Sequence, residues 1–187
     1  KEINEKIDRN YKFSKNKFFI YVSRFEPRKN QHLLIKAFKN FCRKNGDEYK
    51  LILVGYPDLC YPELEKQLSK LENKNVIVLS NVSSNELNWL YKNSIASIYP
   101  SLCEGFGIPP IEAIAAGGKS YCSNNTALIE LKDYVNGTFD SSNIVEIESA
   151  LEEATKENNE DLQKNLRAAV INKFSWEKTA KKFIASL

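Results

Sequence analysis

The chain has 187 residues, 42% hydrophobic and 27% charged, a balance that excludes disorder and fibrous repeats. Its 27 basic and 24 acidic residues leave a net charge of +3. With no dense basic stripe or RNA motif beside it, that charge makes no case for a nucleic-acid partner and equally suits a small anionic ligand.

In chain order, residues 1–16 are polar and lack a sustained period, and read as a lead-in or linker before one domain over 17–187. Residues 17–23 (KFFIYVS) are apolar and β-prone, a buried strand. Leu33, Leu34, Ala37, Phe38 and Phe41 recur at helical spacing, so 30–44 is an amphipathic helix. A second strand follows at 50–55 (KLILVG). Pro62 suits a helix's first turn, and Leu64, Leu68 and Leu71 form its apolar stripe. Strand three spans 75–80, a short helix 84–92, and strand four 95–99. Pro109 and Pro110 introduce a helix over 111–116 that ends at Gly117-Gly118. Strand five is 119–123, a short helical turn covers 128–131, and a sixth strand 134–138. Three helices, at 144–157, 160–173 and 175–185, complete the chain. Strands alternating with helices imply an α/β fold: a doubly wound, Rossmann-like parallel sheet of about six strands, helices on both faces. In such sheets ligands lie beyond the carboxyl ends of the strands.

No apolar run approaches the roughly 20 residues of a membrane-spanning helix. Cys42, Cys60, Cys103 and Cys122 form no C-x-x-C pair, and His32 is the only histidine, so no metal site is expected. The cysteines read as reduced thiols and the first residues lack a signal-peptide pattern, which points to the cytoplasm. The chain starts at Lys1 and contains no methionine, so it is expected to be processed or part of something longer.

Two loops carry chemistry. After strand one, Arg24 and Lys29 precede a helix N-terminus, an arrangement that makes an anion site; on that segment alone, solvated surface charge is the plainer reading. After strand four, Gly105 and Gly107 leave backbone N–H groups unobstructed and permit positive φ. Seven residues separate Glu104 from Glu112. With a helix starting near Pro109, Glu112 falls in its first turn, Glu104 stays in the loop, and both carboxylates face one crevice. Glu112 alone would be an ordinary dipole-stabilising residue. The dinucleotide fingerprint, the P-loop and the nucleophile elbow are all missing. His32 reads as structural or surface, and Trp89 and Trp176 as packing residues.

Val22-Ser23-Arg24-Phe25 with Lys29-Asn30, then 51–55, then Ser101-Leu102-Cys103-Glu104-Gly105-Phe106-Gly107 with Glu112, resembles the retaining family-4 glycosyltransferases, specifically the carboxyl-terminal donor-binding half of their GT-B fold. Phe174-Ser175-Trp176-Glu177 resembles the family's final-helix signature. The resemblance implies that Arg24 and Lys29 hold the donor diphosphate, and that Glu104, the catalytic candidate, lies against the donor sugar. Gly105, Phe106 and Gly107 then meet sugar and phosphate, Glu112 receives the ribose hydroxyls, and Ser80-Asn81-Val82 lies near the base. It implies no cofactor and no required metal. The sequence departs from the pattern at Gly55-Tyr56-Pro57-Asp58, where relatives often carry a second glycine, and at 123–130, which replaces a glycine-rich turn.

The expected function is donor binding for a hexosyltransferase that moves a hexose from a nucleoside-diphosphate sugar to a glycan or lipid-linked acceptor in surface polysaccharide or lipopolysaccharide synthesis. The implied partners are the nucleotide-sugar and an amino-terminal acceptor domain, absent here and carried in the same or a partner chain. Any membrane contact at the inner membrane face would run through that half, and the isolated chain would be weak or inactive. The alternative is a non-catalytic nucleotide-sugar-binding subunit or scaffold of a split transferase. A phosphorylase-like relative and a dehydrogenase rank lower.

Overall fold

The computed structural model describes residues 17–56, 75–157 and 159–186; the readings of 1–16 as a linker and of a helix from Pro62 lie outside them. The elements are β1 (Phe18–Val22), α1 (Gln31–Asn45), β2 (Lys50–Val54), β3 (Val76–Leu79), α2 (Ser84–Asn93), β4 (Ser97–Tyr99), α3 (Ile108–Ala115), β5 (Ser120–Ser123), β6 (Gly137–Phe139), α4 (Ile144–Ala154), α5 (Glu160–Lys173) and α6 (Trp176–Ala185). Short 3-10 segments cover Pro27–Lys29 and Thr126–Tyr134.

The six strands form one parallel sheet in the order β3-β2-β1-β4-β5-β6. This is the doubly wound order, in which the chain starts mid-sheet and winds outward in both directions. Because successive strand residues point to opposite faces, β1 supplies two cores. Phe18 and Ile20 pack with Ile52 and Val54 against Trp89, Leu90 and Tyr91 of α2. Phe19 and Tyr21 pack with Leu51 and Leu53 against Leu34, Phe38 and Phe41 of α1 and Ile147 and Leu151 of α4. Phe19 meets the edges of Phe38 and Phe41, with centroids 6.2 and 5.4 Å away.

Helix starts are locally encoded. Ser83 and Glu86 form a capping box on α2, and Asn143 and Asn159 accept from backbone N–H groups of α4 and α5. The expected helix over 111–116 begins earlier, at Ile108, with Gly107 as its N-cap. Pro109 and Pro110 therefore lie inside the first turn, where a proline's missing N–H costs nothing. Glu112 consequently sits in the second turn, not the first. The expected turn at 128–131 is longer, and strand six is shifted to Gly137–Phe139.

No described helix is long and apolar enough to cross a membrane. Trp89 is buried and stacks on Phe18, as expected of a packing residue, but Trp176 is 81% exposed. It lies on α6, which buries none of its residues and also exposes Phe183 and Ile184.

Phe19→Ala removes a ring that touches both the sheet and α1. It is expected to destabilise the domain by about 3–5 kcal/mol, read as a lowered urea midpoint with an unchanged slope.

Candidate functional site

Between β1 and β4 the winding reverses direction, so their following loops diverge and leave a crevice at the carboxyl edge of the sheet. A cleft of about 610 Å³ lies there. Its walls come from the segments after four strands: Ser23, Arg24, Glu26, Arg28 and Lys29 after β1, Gly55 and Tyr56 after β2, Asn81 and Val82 after β3, and Glu104 with Phe106 to Pro109 after β4.

The cleft's polar end is built around the Glu104 carboxylate. Lys29 Nζ donates to Oε1 at 2.5 Å, Ser101 Oγ at 2.6 Å and Tyr99 OH at 3.0 Å, while Arg28 Nη1 reaches Oε2 at 3.2 Å. Lys29 Nζ also donates to the Tyr99 hydroxyl at 3.1 Å. The Lys29 and Glu104 side chains are each only 9% exposed. Burial pushes the Glu104 carboxyl upward, but the bonds from Lys29, Ser101 and Tyr99 stabilise its ionised form, and the net direction is down. Burial, with Glu104's charge adding to it, holds the Tyr99 phenol far above the ordinary value, so it serves as a donor.

The surrounding chain fixes this arrangement. Tyr21 OH donates to the Lys29 carbonyl at 2.6 Å, and its ring meets Tyr99 edge-on at 5.2 Å. Asn30, in the left-handed region at φ 59°, donates from Nδ2 to the carbonyls of Pro100 and Ser141. Leu102 N donates to the Arg28 carbonyl at 2.7 Å, and Arg28 Nη1 to the Cys103 carbonyl at 2.9 Å, clasping the two loops together. The segment after β5 is a buttress. Ser123 Oγ and Asn125 Nδ2 donate to the Ser101 carbonyl, and Glu104 N donates to Thr126 Oγ1.

Of the residues singled out in the sequence, Arg24, Lys29, Asn81, Val82, Glu104, Phe106 and Gly107 line the cleft. Arg24 is exposed, and no carboxylate among the described residues pairs with it. Ser80, Gly105 and Glu112 do not line it. Ser80 and Gly105 are exposed beside it. Glu112 lines the two neighbouring depressions on α3, with Tyr91 OH at 3.5 Å, so the two carboxylates do not share one cavity as expected. Crowding by its neighbours raises the Glu112 carboxyl, against the weak bond from Tyr91.

Only Gly107 uses the expected positive φ, at 93°, where an added Cβ would also come within 2.3 Å of Leu128; Gly105 does not. Phe106, 42% exposed, meets the edge of Phe174 at 5.6 Å, and Phe174 meets Tyr134 at 5.0 Å, so the loop leans on the end of α5. Sequence reasoning missed Arg28, Tyr99 and Ser101. Arg28 stood next to a chosen lysine, and Tyr99 and Ser101 flank the end of a strand whose carboxyl edge was already the place to look. Among the described residues no group of three or more His, Cys, Asp or Glu side chains could hold a metal.

The fold and site define a Rossmann-like α/β domain whose switch-point crevice joins three cations, Arg24, Arg28 and Lys29, to the carboxylates Glu26 and Glu104. The chain belongs to the glycosyl transferases group 1 family, whose model matches residues 2–173. It is 43% identical over 107 residues to the O-antigen chain mannosyltransferase RfbU of Salmonella typhimurium, covering 56% of this chain and 29% of that one. It is 27% identical over 169 residues to O-antigen chain mannosyltransferase B of Escherichia coli, covering 89% and 44%. The chain thus spans less than half the length of either relative. Among solved structures, Anabaena HepE in complex with UDP and glucose aligns with TM-score 0.81 and 20% identity, over 100% of this chain and 52% of that one. The trehalose-phosphate synthase of Burkholderia xenovorans aligns with TM-score 0.83 and 12% identity, over 99% and 48%. At those identities the likeness establishes the fold.

Lys29→Ala strands the Glu104 charge and is expected to destabilise by about 3–5 kcal/mol, with part of the loss recovered by adding Glu104→Gln. The depressed Glu104 carboxyl stabilises the fold fully above its unfolded value of about 4.3, and that stabilisation is lost as pH falls through the lower folded value. Urea midpoints at pH 7 and pH 3 should therefore differ less in Glu104→Gln than in the wild type.

Proposed function

We propose that this chain is the carboxyl-terminal donor-binding domain of a retaining, family-4 type glycosyltransferase of the GT-B architecture. It grips a nucleoside-diphosphate hexose, and the whole enzyme transfers the sugar to a glycan or lipid-linked acceptor in surface polysaccharide assembly. The observation that carries this reading is the Glu104 carboxylate, held by four donors at the switch point and facing the same cleft as Arg24, which no carboxylate among the described residues pairs with. The names of the relatives, O-antigen chain mannosyltransferases, support the process, and the UDP and glucose named with HepE support the ligand class.

In this reading each residue has a physical task. Arg24 is free to pair with the diphosphate, and Lys29 and Arg28 keep the local field positive despite Glu26 and Glu104. When the bond from the sugar's anomeric carbon to the diphosphate oxygen breaks, negative charge grows on the leaving oxygen and positive character on the sugar ring. Cations on the first and a fixed carboxylate near the second stabilise both. Because Glu104 is already ionised and oriented by Lys29, Ser101 and Tyr99, little reorganisation is needed. Gly105 leaves open space, since no heavy atom lies within 4 Å of where its Cβ would stand, and a sugar can approach the main chain there. The chemistry takes no metal. Glu112 receives the ribose hydroxyls from the adjoining depression, which shares Phe106 and Ile108 with the cleft. The acceptor arrives on a second domain, in the same or a partner chain, which also makes any membrane contact.

Calorimetric titration with UDP, GDP and ADP tests the site: one nucleoside diphosphate should bind best, and Arg24→Ala should weaken it far more than the matching nucleoside. Failure of all three to bind would overturn the reading. In the full-length enzyme, Glu104→Ala should lower turnover by more than it lowers nucleotide affinity; unchanged turnover would remove Glu104 from the chemistry.

A further inference from the structure

The far end of the cleft, away from Lys29 and Glu104, is formed by the segments after β2 and β3. Here Tyr56 is a large aromatic residue left 52% exposed. Its hydroxyl accepts from Asn81 N–H at 2.9 Å and donates to the Asn81 carboxamide oxygen. Asn81 is in the left-handed region at φ 58°. The walls beside this pair, Val54, Val82 and Leu87, are apolar, and suit one flat face of a heteroaromatic ring.

The backbone that carries Tyr56 is held in place. Phe25 N donates to the Tyr56 carbonyl at 2.9 Å. The preceding Gly55 runs so close to β1 that a Cβ there would lie 1.8 Å from the Ser23 carbonyl oxygen. The residue therefore stays where it is, while its ring, on an open rim, can turn about its side-chain torsions.

We propose that Tyr56 guards the base end of this cleft, its hydroxyl occupying the hydrogen-bonding positions on Asn81 that a bound nucleobase would take. This rests on the donor-site reading above. The hydroxyl accepts and donates with one atom; a nucleobase edge presents an acceptor and an N–H donor on adjacent atoms, and replaces both bonds. A base bound at Asn81 displaces the phenol oxygen, and the net gain on binding is the difference between two similar hydrogen-bond pairs. A ligand without a base leaves the Tyr56–Asn81 pair intact. Tyr56 thereby sets a fixed cost on every ligand that carries a base and none on a bare diphosphate.

Tyr56→Phe keeps the ring and removes the competing hydroxyl. It should bind the preferred nucleoside diphosphate roughly three- to tenfold more tightly, with pyrophosphate affinity unchanged. In the wild type, the Asn81 amide resonance should move on adding the nucleoside diphosphate and stay still on adding pyrophosphate. Circular dichroism and thermal melts check that the variant is folded. A folded Tyr56→Phe whose nucleoside diphosphate affinity equals or falls below that of a binding wild type overturns this inference and leaves the donor-site reading standing. So does an Asn81 resonance that ignores a bound nucleotide. Binding of pyrophosphate but of no nucleoside diphosphate, by either protein, overturns both.

Discussion

The contact on which the site depends is the ion pair between Lys29 and Glu104. Both side chains are almost wholly removed from water, and an isolated charge in that position would be costly. The cost is offset because each end is also hydrogen-bonded: Tyr99 bonds to both, and Ser101 and Arg28 add to the carboxylate. A buried pair of this kind adds little net stability over a well-packed apolar pair. What it does is specify geometry. The loops after β1 and β4 have one relative position in which all these donors are satisfied, and any slip leaves a charge unpaired.

The fold makes that pair possible. Only strands that neighbour each other where the winding reverses send their following loops to opposite sides of one crevice, and β1 and β4 are those strands. Tyr21 and Tyr99, one on each, bring their hydroxyls to the same rim from adjacent strands. The neighbouring β5 then contributes through Ser123, Asn125 and Thr126, whose bonds fall on Ser101 and Glu104. The precision of this site is thus a property of three neighbouring loops, after β1, β4 and β5, that brace one another, and the sheet supplies their spacing.

The sheet was legible because its strands are buried on both faces and read as continuous apolar runs between turn residues. The helix stripe of α1 was legible for the matching reason, a single apolar face. The start of α3 was misjudged because two prolines mark a first turn without saying which of them, or which residue before them, opens it; Gly107 in a left-handed conformation settles it at Ile108. Arg24, Lys29, Glu104 and Gly107 could be found from loop position and residue type. Arg28, Tyr99 and Ser101 could not, because their importance lies in bonds to one carboxylate, and sequence shows charge and not contact. Trp176 was read as a packing residue because aromatic residues on helix faces usually are, yet α6 buries none of its residues and leaves that ring on the rim of a depression. Glu112 and Glu104 were expected to face one crevice, but with α3 starting at Ile108, Glu112 sits in the second turn and lines the adjoining depressions instead.

Placing two prolines inside the first turn of α3 has an electrical corollary. Of the N–H groups a helix start ordinarily leaves free, those of residues 109 and 110 do not exist, so this end offers few donors that an anion could touch. The peptide dipoles behind it remain aligned, and their positive end still faces the cleft. The helix therefore acts on a ligand as a fixed field felt across a gap, with direct contact left to the main chain of the preceding loop. A field of that kind tolerates small shifts in ligand position that a hydrogen bond would punish. It is also screened by mobile ions wherever water enters, over a Debye length of about 10 Å at 0.1 M salt.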